Sequence, residues 1–352
     1  MADNMEKKMK IAIDIGHPAH VNFFKVAARR LLSDGHDVTV IYINRGKLPL
    51  IVKEELREFR QVMIGLHKGS KYSVIIDANL RRFFQLLKYL RHYQFDIGLS
   101  VGGFNFGGVL KLHSVPNIQF DDDPERGINI FLEKHTSTQL YFPPIIKSGG
   151  RIRCFNALKE WAYLSPKYFT PDESVIDEYG LEKKDYIFVR EVSTGTLNYS
   201  KQKSNVISTF ADQLGQNEKV ILSIEDKDKE EYYPRNWQFL REPLRDIHSL
   251  MYFSKLVISS GDSMAREGAI LGVPSIYCGF REMKANKIME DKNILYHIKP
   301  EEVINKLNQL RNRNFFINEQ ENFREKLKQE WTDVSEFIYE TVKNLINYGK
   351  KD

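Results

Sequence analysis

The sequence predicts an α/β protein made of two doubly wound, Rossmann-like domains. Short apolar segments with the character of buried strands alternate with amphipathic segments, first over residues 9–165 and again over residues 175–325. Between these runs, the stretch LSPKYFTPDESVIDEYG (164–180) contains two prolines and breaks the alternation. A chain of 352 residues is also long for a single core. We therefore expect two domains that face a ligand-binding cleft.

The first domain is predicted to open with the strand KIAIDIG (10–16) and a helix over residues 20–35, for which Gly35 is the expected C-cap. Strand-to-helix alternation of this kind predicts crossover connections and parallel strands. The later segments are predicted as strands HDVTVIYI (36–43), QVMIG (61–65), FDIGLSVGG (95–103) and VPNIQFD (115–121), and as helices LPLIVKEELREF (48–59), NLRRFFQLLKYLRHY (79–93) and FGGVLKLHS (106–114).

The second domain repeats the same alternation. The tail NEQENFREKLKQEWTDVSEFIYETVKNLINYG (318–349) has amphipathic spacing and predicts one or two helices. The predicted strands are DYIFVREV (185–192), KVILSIE (219–225), KLVISSG (255–261) and PSIYC (274–278), and the predicted helices are SNVISTFADQLG (204–215), DIHSLMYFS (246–254) and DSMAREGAILG (262–272).

Composition limits the functional classes. The net charge of +5 is too small to indicate nucleic-acid binding, and the sequence has no zinc-finger or RNA-recognition signature. No apolar run approaches the ~20 residues of a membrane-spanning helix, and the first apolar run is short for a signal peptide. Cys154 and Cys278 have neither a disulfide framework nor a metal-binding spacing. These features favour a cytoplasmic protein without a bound metal.

Residue types that can do chemistry cluster where the predicted strands end. Ligands of doubly wound sheets bind beyond the carboxyl ends of the strands, so these clusters are predicted to face one site. The five clusters are Gly16–His20, Gly102–Gly103, Asp121–Glu125, Arg190–Ser193 and Ser260–Ser263.

The segment SSGDSMAREGAILGVPSI (259–276) is the best candidate for a nucleotide site. Small residues at the start of a helix let a diphosphate approach exposed N–H groups, and the helix dipole favours negative charge there. Glu267, about one turn further on, can accept hydrogen bonds from a ribose diol. An ordinary capped helix with a solvated glutamate is the alternative. Gly272 and Pro274, which redirect the chain into the next strand, favour the binding site.

Three stretches carry a resemblance to known proteins: IDIGHPAHVNFF (13–24), NALKEWAYLSPKYF (156–169) and DIHSLMYFSKLVISSGDSMAREGAILGVPSI (246–276). Together they resemble a family of archaeal and bacterial proteins, domain of unknown function 354, often described as predicted glycosyltransferases. The third stretch also resembles the nucleotide-binding segment of GT-B proteins, which include the glycosyltransferase that makes lipid II and the UDP-GlcNAc 2-epimerases. The resemblance implies a GT-B fold in which a C-terminal helix (326–350) packs back on the N-terminal domain.

The same resemblance implies site residues. His20 opens the first helix near the acceptor hydroxyl, where an imidazole is the usual base, and His17 shares that role, holds phosphate or stabilises its own turn. Arg190 is implied in bidentate diphosphate contact, with an ion pair to Glu191 or another acid as the alternative, and for His248 a structural role is the alternative. The implied nucleotide-sugar contacts are Gly16, Arg190, Ser193, His248, Ser260, Gly261, Asp262, Ser263, Met264 and Glu267.

Two loops of the first domain are implied in binding the acceptor or the sugar. SVGGFNFGG (100–108) has glycines where a backbone must approach a ligand, although a tight helix–strand junction also explains them. FDDDPERG (120–127) carries four carboxylates, for which a solvated acidic turn is the alternative. The resemblance implies no metal, because GT-B enzymes generally need none. The implied residues are Gly102, Gly103, Phe104, Asp123 and Glu125.

The resulting hypothesis is a glycosyltransferase that moves a sugar from a nucleotide-diphosphate donor, with a UDP-sugar favoured, to a glycan or lipid-linked acceptor in surface polysaccharide biosynthesis. The nucleotide sugar is a substrate, and no cofactor is expected. A UDP-GlcNAc 2-epimerase-like enzyme and a non-catalytic nucleotide-sugar-binding protein are the alternatives. Two of the stretches GHPAH, GGFNF and FDDDPERG depart from the corresponding epimerase loops, which disfavours the epimerase.

The segment LRRFFQLLKYLRHY (80–93) is basic and amphipathic. A helix of this type can lie on an anionic bilayer surface, which would place the protein at the inner face of the cytoplasmic membrane. Packing against its own sheet, with the basic residues in water, is the alternative.

Overall fold

The computed structural model describes residues 8–67, 76–193, 202, 204–214, 218–241, 246–311 and 317–348. The chain divides into two compact units. The first unit runs to Tyr163 and also includes the chain from Trp331 onward, and the second unit is Leu164–Glu330.

The first unit is built on a seven-stranded parallel sheet. Its strands are β1 (Lys10–Ile15), β2 (Asp37–Asn44), β3 (Arg60–Leu66), β4 (Ile97–Val101), β5 (Asn117–Phe120), β6 (Gln139–Phe142) and β7 (Ile152–Cys154). The spatial order is β3-β2-β1-β4-β5-β6-β7, which reverses direction between β1 and β4. Such a reversal is the topological switch point at which doubly wound sheets bind ligands.

Helices connect these strands as crossovers, and a π-helical turn (Ile76–Arg81) precedes the third helix. Right-handed crossovers of this kind cover both faces of a parallel sheet. The helices are α1 (Pro18–Ser33), α2 (Leu48–Glu55), α3 (Arg82–His92), α4 (Phe104–Leu112), α5 (Gly127–Thr136) and, at the boundary of the units, α6 (Trp161–Leu164).

Local sequence explains the position of α1. Pro18 stands at its first position, where a fixed φ and a missing N–H do no harm, so the helix begins two residues earlier than predicted. His17 is the N-cap. The helix ends in a Schellman-type turn, because Gly35 adopts a φ of +87° and the His36 N–H donates to the Leu31 carbonyl at 3.1 Å. Gly35 therefore terminates the helix as predicted.

The second unit has a six-stranded parallel sheet of order β10-β9-β8-β11-β12-β13. The strands are β8 (Tyr186–Glu191), β9 (Lys219–Ile224), β10 (Gln238–Phe239), β11 (Leu256–Ser259), β12 (Ser275–Tyr277) and β13 (Leu295–His297). The switch point of this sheet lies between β8 and β11. Its helices are α7 (Ser174–Asp177), α8 (Ile247–Phe253), α9 (Asp262–Ile270), α10 (Lys284–Asp291), α11 (Val303–Arg311) and α12 (Ile317–Glu330).

The last helix, α13 (Val334–Tyr348), packs on α1 of the first unit. Glu336 forms an ion pair with Arg30, and the Tyr339 hydroxyl donates to the Asp34 carboxylate at 2.5 Å. The Arg30 guanidinium also lies 3.7 Å from the centre of the Tyr339 ring. These contacts attach the end of the chain to its beginning.

One predicted helix is wrong. Residues 204–214 contain two short 3-10 turns, Ile207–Thr209 and Ala211–Leu214, in place of the expected continuous helix. Asn205 has a left-handed φ of +56°, and β-branched residues follow it, which lowers the helix propensity of the segment. Further elements were not predicted. They are α5, α6, β6 and β7 at or before the boundary of the units, and α7, β10, α10, β13 and α11 in the second unit.

Candidate functional site

The turn after β1 holds both predicted catalytic histidines at the switch point of the first sheet. The Nδ1 atom of His17 accepts a hydrogen bond from the Ala19 N–H at 3.2 Å, which caps α1. The Nδ1 atom of His20 accepts one from the Gly16 N–H at 3.3 Å. The two ring centres are 5.9 Å apart. Two imidazoles are therefore held in one turn by the backbone N–H groups of that turn.

The surroundings of His20 disfavour its charged form. Burial lowers the pKa of His20 well below 6.5, and the neighbouring His17, Lys159 and Arg45 lower it further, while the Asp122 carboxylate opposes them. His20 is therefore a neutral imidazole at pH 7.

Lys159 is a residue of this site that the sequence analysis missed. Its ammonium group lies 2.7 Å from the carboxylate of Asp122, so the second carboxylate of the acidic loop is held in an ion pair. Lys159 belongs to the stretch NALKEWAYLSPKYF, which was noticed only for its resemblance. The stretch around Lys159 is rich in apolar residues, and this was the available signal, since a charged group among them needs a partner.

The glycine turn after β4 lies beside β1. Gly102 has a φ of +59°, which favours glycine. A Cβ on Gly103 would lie 2.5 Å from the Ser100 side chain, so this position has no room for one. Phe104 begins α4 and is half-buried. The junction is tight, as the structural alternative expected, and it also lies at the switch point.

A buried ion pair stabilises the region of the first unit that carries the histidine turn. Asp14 of β1 pairs with Arg82 of α3, and both side chains are almost completely buried. The Arg82 Nε atom also donates to the Ile64 carbonyl at 3.1 Å. Removing one member of such a pair leaves an uncompensated buried charge. The pair therefore fixes α3 to the strand that carries the histidine turn.

The acidic loop after β5 is largely buried, which contradicts the solvated turn that was its alternative. Asp121 and Asp122 are buried, and Asp123 is buried and paired with Arg126 at 2.5 Å. The Asp121 Oδ1 atom accepts the N–H groups of the next two residues, at 2.7 and 3.1 Å. Glu125 is exposed. The loop is therefore shaped by the first of its carboxyl groups.

Glu133, on α5, faces this loop and was missed by the sequence analysis. Its side chain is fully buried, and neither of its oxygens accepts a hydrogen bond from an N–H or O–H group in the described ranges. Burial and the neighbouring Asp121 raise the pKa of Glu133 to about 10. Burial and the two following aspartates raise the pKa of Asp121 to about 6. Glu133 is therefore a neutral carboxyl group that shares a proton with Asp121.

In the second unit, Ser260 makes hydrogen bonds to other residues of the same unit through its hydroxyl and its carbonyl. Its hydroxyl donates to the Glu191 carboxylate at 2.6 Å and accepts the Val192 N–H at 2.9 Å. Its carbonyl accepts a hydrogen bond from Gln202 at 3.1 Å. Burial raises the pKa of Glu191. The side chain of Ser260 therefore joins the ends of β8 and β11, so a phosphate contact here would fall to the backbone of the loop.

Asp262 also forms ion pairs within the second unit. It is fully buried and lies 3.1 Å from Arg266 and 3.8 Å from Arg281. Arg266 in turn donates to the Asn286 side-chain oxygen at 2.9 Å. The Gly261 N–H donates to the Ser259 hydroxyl at 3.0 Å. These contacts shape the beginning of α9.

The first turn of α9 leaves Ser263 and Met264 partly exposed. Glu267, one turn on, is mostly buried and lies 3.4 Å from the Nε2 atom of His248. His248 is placed by α8, whose N-cap is Asp246. The structure therefore brings together the predicted ribose-binding carboxylate and a histidine that had been assigned a separate role.

Arg190, the residue before the end of β8, forms an ion pair with Glu225 and also donates to the Ser223 hydroxyl at 2.8 Å. The Ser193 N–H donates to the other oxygen of Glu225 at 2.9 Å. One carboxylate thus bridges the guanidinium that was predicted to contact phosphate and the backbone N–H of Ser193, whose hydroxyl was the predicted phosphate donor. Thr194, whose position directly after Ser193 makes it a further candidate hydroxyl donor to phosphate, lies outside the described residues.

The predicted membrane helix packs mainly on its own unit. Leu86 and Leu90 of α3 are buried in the core of the first unit. Leu80 and Phe84 are exposed, Phe84 by 60%, on a surface that also presents Lys88. Within the described ranges, the length and apolar character that a bilayer-spanning helix needs are not met by any helix.

The chain is similar to known sequences over most of its length. A family model described as "Protein of unknown function (DUF354)" matches residues 9–347. An uncharacterised protein of Methanocaldococcus jannaschii, MJ0665, is 20% identical over 313 residues, which cover 84% of this chain and 90% of that protein.

Solved structures share the fold. The UDP-N-acetylglucosamine 2-epimerase of Rickettsia bellii has a TM-score of 0.69 at 14% identity, covering 97% of this chain and 98% of its own. The glycosyltransferase VinC, in complex with dTDP, has a TM-score of 0.64 at 12% identity, covering 98% and 100%. The chain therefore has the two-domain α/β architecture of GT-B proteins.

Proposed function

The chain belongs to the DUF354 family, a family of unknown function, and from its site we propose that it is a glycosyltransferase that uses a nucleotide-diphosphate sugar. The observation that carries this proposal is the start of α9. It lies at the switch point of the second sheet, with a mostly buried Glu267 one turn further on. A diphosphate suits the helix N-terminus, and a carboxylate one turn along suits a ribose diol.

The donor is held by the second unit in this proposal. The backbone of Ser263 and Met264 contacts the diphosphate, and the Arg190 guanidinium neutralises its charge. Arg190 now pairs with Glu225, so the diphosphate replaces that carboxylate as its partner. His248 lies 3.4 Å from Glu267 and orients the carboxylate toward the ribose. A UDP-sugar is the favoured donor, as the resemblance implies.

The acceptor is held by the first unit. His17 and His20 lie at the switch point, and the turn beginning at Gly102 lies next to it. Backbone that lacks side chains can approach sugar hydroxyls closely. Asp123 and Glu125 are the proposed sugar contacts of the acidic loop. We assign the acceptor to the glycan or lipid-linked class of surface polysaccharide biosynthesis, and we expect the reaction to need no metal.

A binding panel tests the donor site. UDP, GDP, dTDP, CDP and CMP are compared by thermal shift on the wild type and on Glu267→Ala. A ligand at ~100 times its Kd adds roughly 2.7 kcal/mol of stability. We expect one nucleotide to stabilise the wild type and to lose most of that effect in Glu267→Ala. Glu321→Ala, which removes an exposed glutamate of α12 in the same unit, is the matched control and should behave as the wild type.

A shift for none of the five nucleotides removes the ribose role of Glu267, and a non-catalytic or scaffold function becomes the better explanation. An equal shift in the wild type and Glu267→Ala places the nucleotide elsewhere.

The epimerase alternative is tested with the sugar donor alone. An epimerase needs no acceptor, so it changes the proton NMR spectrum of a UDP-sugar with no other substrate present. The proposed transferase leaves the sugar unchanged until an acceptor is added. A changed sugar without acceptor would replace the transferase by an epimerase at the same donor site.

Membrane contact through the exposed end of α3 is the last part of the proposal. Leu80 and Phe84 are exposed beside basic side chains, a combination that suits an anionic bilayer surface. We expect the protein to sediment with anionic vesicles at low salt and to be released at high salt. Phe84→Ser should reduce sedimentation, whereas Tyr232→Ser, at an equally exposed aromatic of the second unit, should not. Equal recovery in the supernatant with and without vesicles would exclude this contact and the placement at the inner face of the cytoplasmic membrane.

A further inference from the structure

The hydrogen bond between Gly16 and His20 fixes where the imidazole can carry a proton. The donor is a backbone N–H, which has no lone pair to offer, and it points at Nδ1 of His20 over 3.3 Å. Nδ1 therefore keeps its lone pair and carries no hydrogen. A neutral imidazole has one N–H, so the hydrogen of His20 is on Nε2.

The turn makes this arrangement the stable one. The His20 N–H donates to the His17 carbonyl at 3.0 Å, so both ends of the turn are tied together before α1 continues. Moving the hydrogen to Nδ1 would set two N–H groups against each other and break the Gly16 contact. The Nε2 atom makes no hydrogen bond within the described part of the chain, and the side chain is partly exposed. The available group is thus an N–H directed away from the turn.

Charged neighbours of His20 also disfavour a second proton on its ring. The groups that face His20 are His17, Lys159, Arg45 and Asp122. Two of these are permanently positive and one is a second imidazole, so they oppose a second proton on the ring. The single carboxylate among them is already paired with Lys159 at 2.7 Å.

We propose that His20 acts as a neutral hydrogen-bond donor through its Nε2–H, and that it is not the base that its position in the sequence suggested. The proposal rests on the function proposed above, because it assigns the role of a residue in that site. In sugar transfer, the acceptor O–H bond breaks, a glycosidic C–O bond forms, and the bond from the sugar carbon to the diphosphate oxygen breaks. The electron pair of the broken bond leaves with the diphosphate, whose oxygen also takes up the released proton, while the His20 N–H stabilises a substrate oxygen that gains negative charge.

Nitrogen NMR of the imidazole rings tests this directly. The full chain is labelled with 15N at its histidines, of which it has nine, and the His20 signals are identified by their loss in His20→Gln. We expect a one-bond proton coupling at Nε2, none at Nδ1, and no protonation of the ring from about pH 8 down to about pH 6. The same sample unfolded in urea is the control, since its rings lose this constraint.

Two results would overturn the proposal: a hydrogen on Nδ1 of His20 in the folded protein, or protonation of that ring close to the value in the unfolded control. The measurement uses no nucleotide. A wrong tautomer therefore leaves the donor site intact, and a failed nucleotide panel leaves the tautomer result standing.

Discussion

Replacing Glu133 by glutamine should change how the stability of the first unit depends on pH. Glu133 is fully buried and protonated, with its pKa raised to about 10 by burial and by Asp121. In the unfolded chain the same group has an ordinary pKa of 4.5 and is ionised above that value. Between pH 7 and pH 9 the unfolded state therefore binds fewer protons than the folded state, and stability falls as pH rises.

The size of the effect follows from the two pKa values. Each pH unit in this window costs about 1.36 kcal/mol for one group that is protonated when folded and ionised when unfolded. Two units therefore cost ~2.7 kcal/mol, and Asp121, with its pKa raised to about 6, has finished titrating by then. Glu133→Gln keeps the shape and can donate an N–H to Asp121, but it cannot ionise. Its stability should lack this slope.

Thermal unfolding at several pH values measures the difference in Tm between the wild type and Glu133→Gln. In a domain of this size, 1 kcal/mol shifts Tm by about 2–4 °C, so the variant should gain roughly 5–11 °C on the wild type between pH 7 and pH 9. Glu125→Gln, at an exposed position of the neighbouring loop, is the matched control and should follow the wild type. Lys184, whose pKa burial lowers to about 7, has the opposite slope but is common to all three proteins. Parallel pH profiles for the wild type and Glu133→Gln would refute the shared proton.

Three further substitutions test the framework around the site by urea unfolding. Asp14→Asn leaves the buried charge of Arg82 without its partner and should lower the free energy of unfolding by about 3–5 kcal/mol. Replacing both residues by apolar ones should restore most of this stability. A loss below about 1 kcal/mol would mean that the pair is solvated. Ser260→Ala removes a donor from the buried carboxylate at the end of β8 and should cost about 1–3 kcal/mol, with no change expected if water replaces the hydroxyl. Gly272→Ala places a Cβ 2.8 Å from a side chain of α12 at a φ of +77°, whereas Gly180→Ala, at a φ of +62°, places its Cβ in open space. Gly272→Ala should therefore lose more stability than Gly180→Ala. Equal losses would mean that backbone strain alone causes the effect.

Local patterns in the sequence were sufficient for most of the fold. Buried strands such as β1 and β4 are apolar runs of five or six residues followed by glycine, and their spacing requires crossover helices. The strand-end clusters followed from the same logic, because parallel strands bring their carboxyl ends to one edge. The strand β7 was not predicted because its three residues include an exposed arginine, Arg153, and show no apolar run. The helix predicted over 204–215 is wrong because the left-handed φ of Asn205 and the β-branched residues after it disfavour a helix there, which apolar spacing alone does not show.

The partners of the site residues could not be found in this way. Arg190 is paired with a residue 35 positions away, and Ser260 with one 69 positions away. Residues so far apart in the sequence meet because of the strand order. The residues near each of them in the sequence do not indicate that order. Glu133 was missed for the same reason, since a glutamate on an amphipathic helix is normally a solvated residue and only the folded α5 shows that it is enclosed.

The two interpretations of Arg190 describe the same chemistry. Glu225 gives one oxygen to the Arg190 guanidinium and the other to the Ser193 N–H, which is how a phosphate group would be held by a guanidinium and a strand-end amide. An arginine left without an anion at this place would bear a desolvation cost that the carboxylate removes. A diphosphate that enters must displace the carboxylate, and the released Glu225 side chain, which is 38% exposed, can return to water at little cost. In the proposed function, the Arg190–Glu225 ion pair therefore occupies the position that the diphosphate takes.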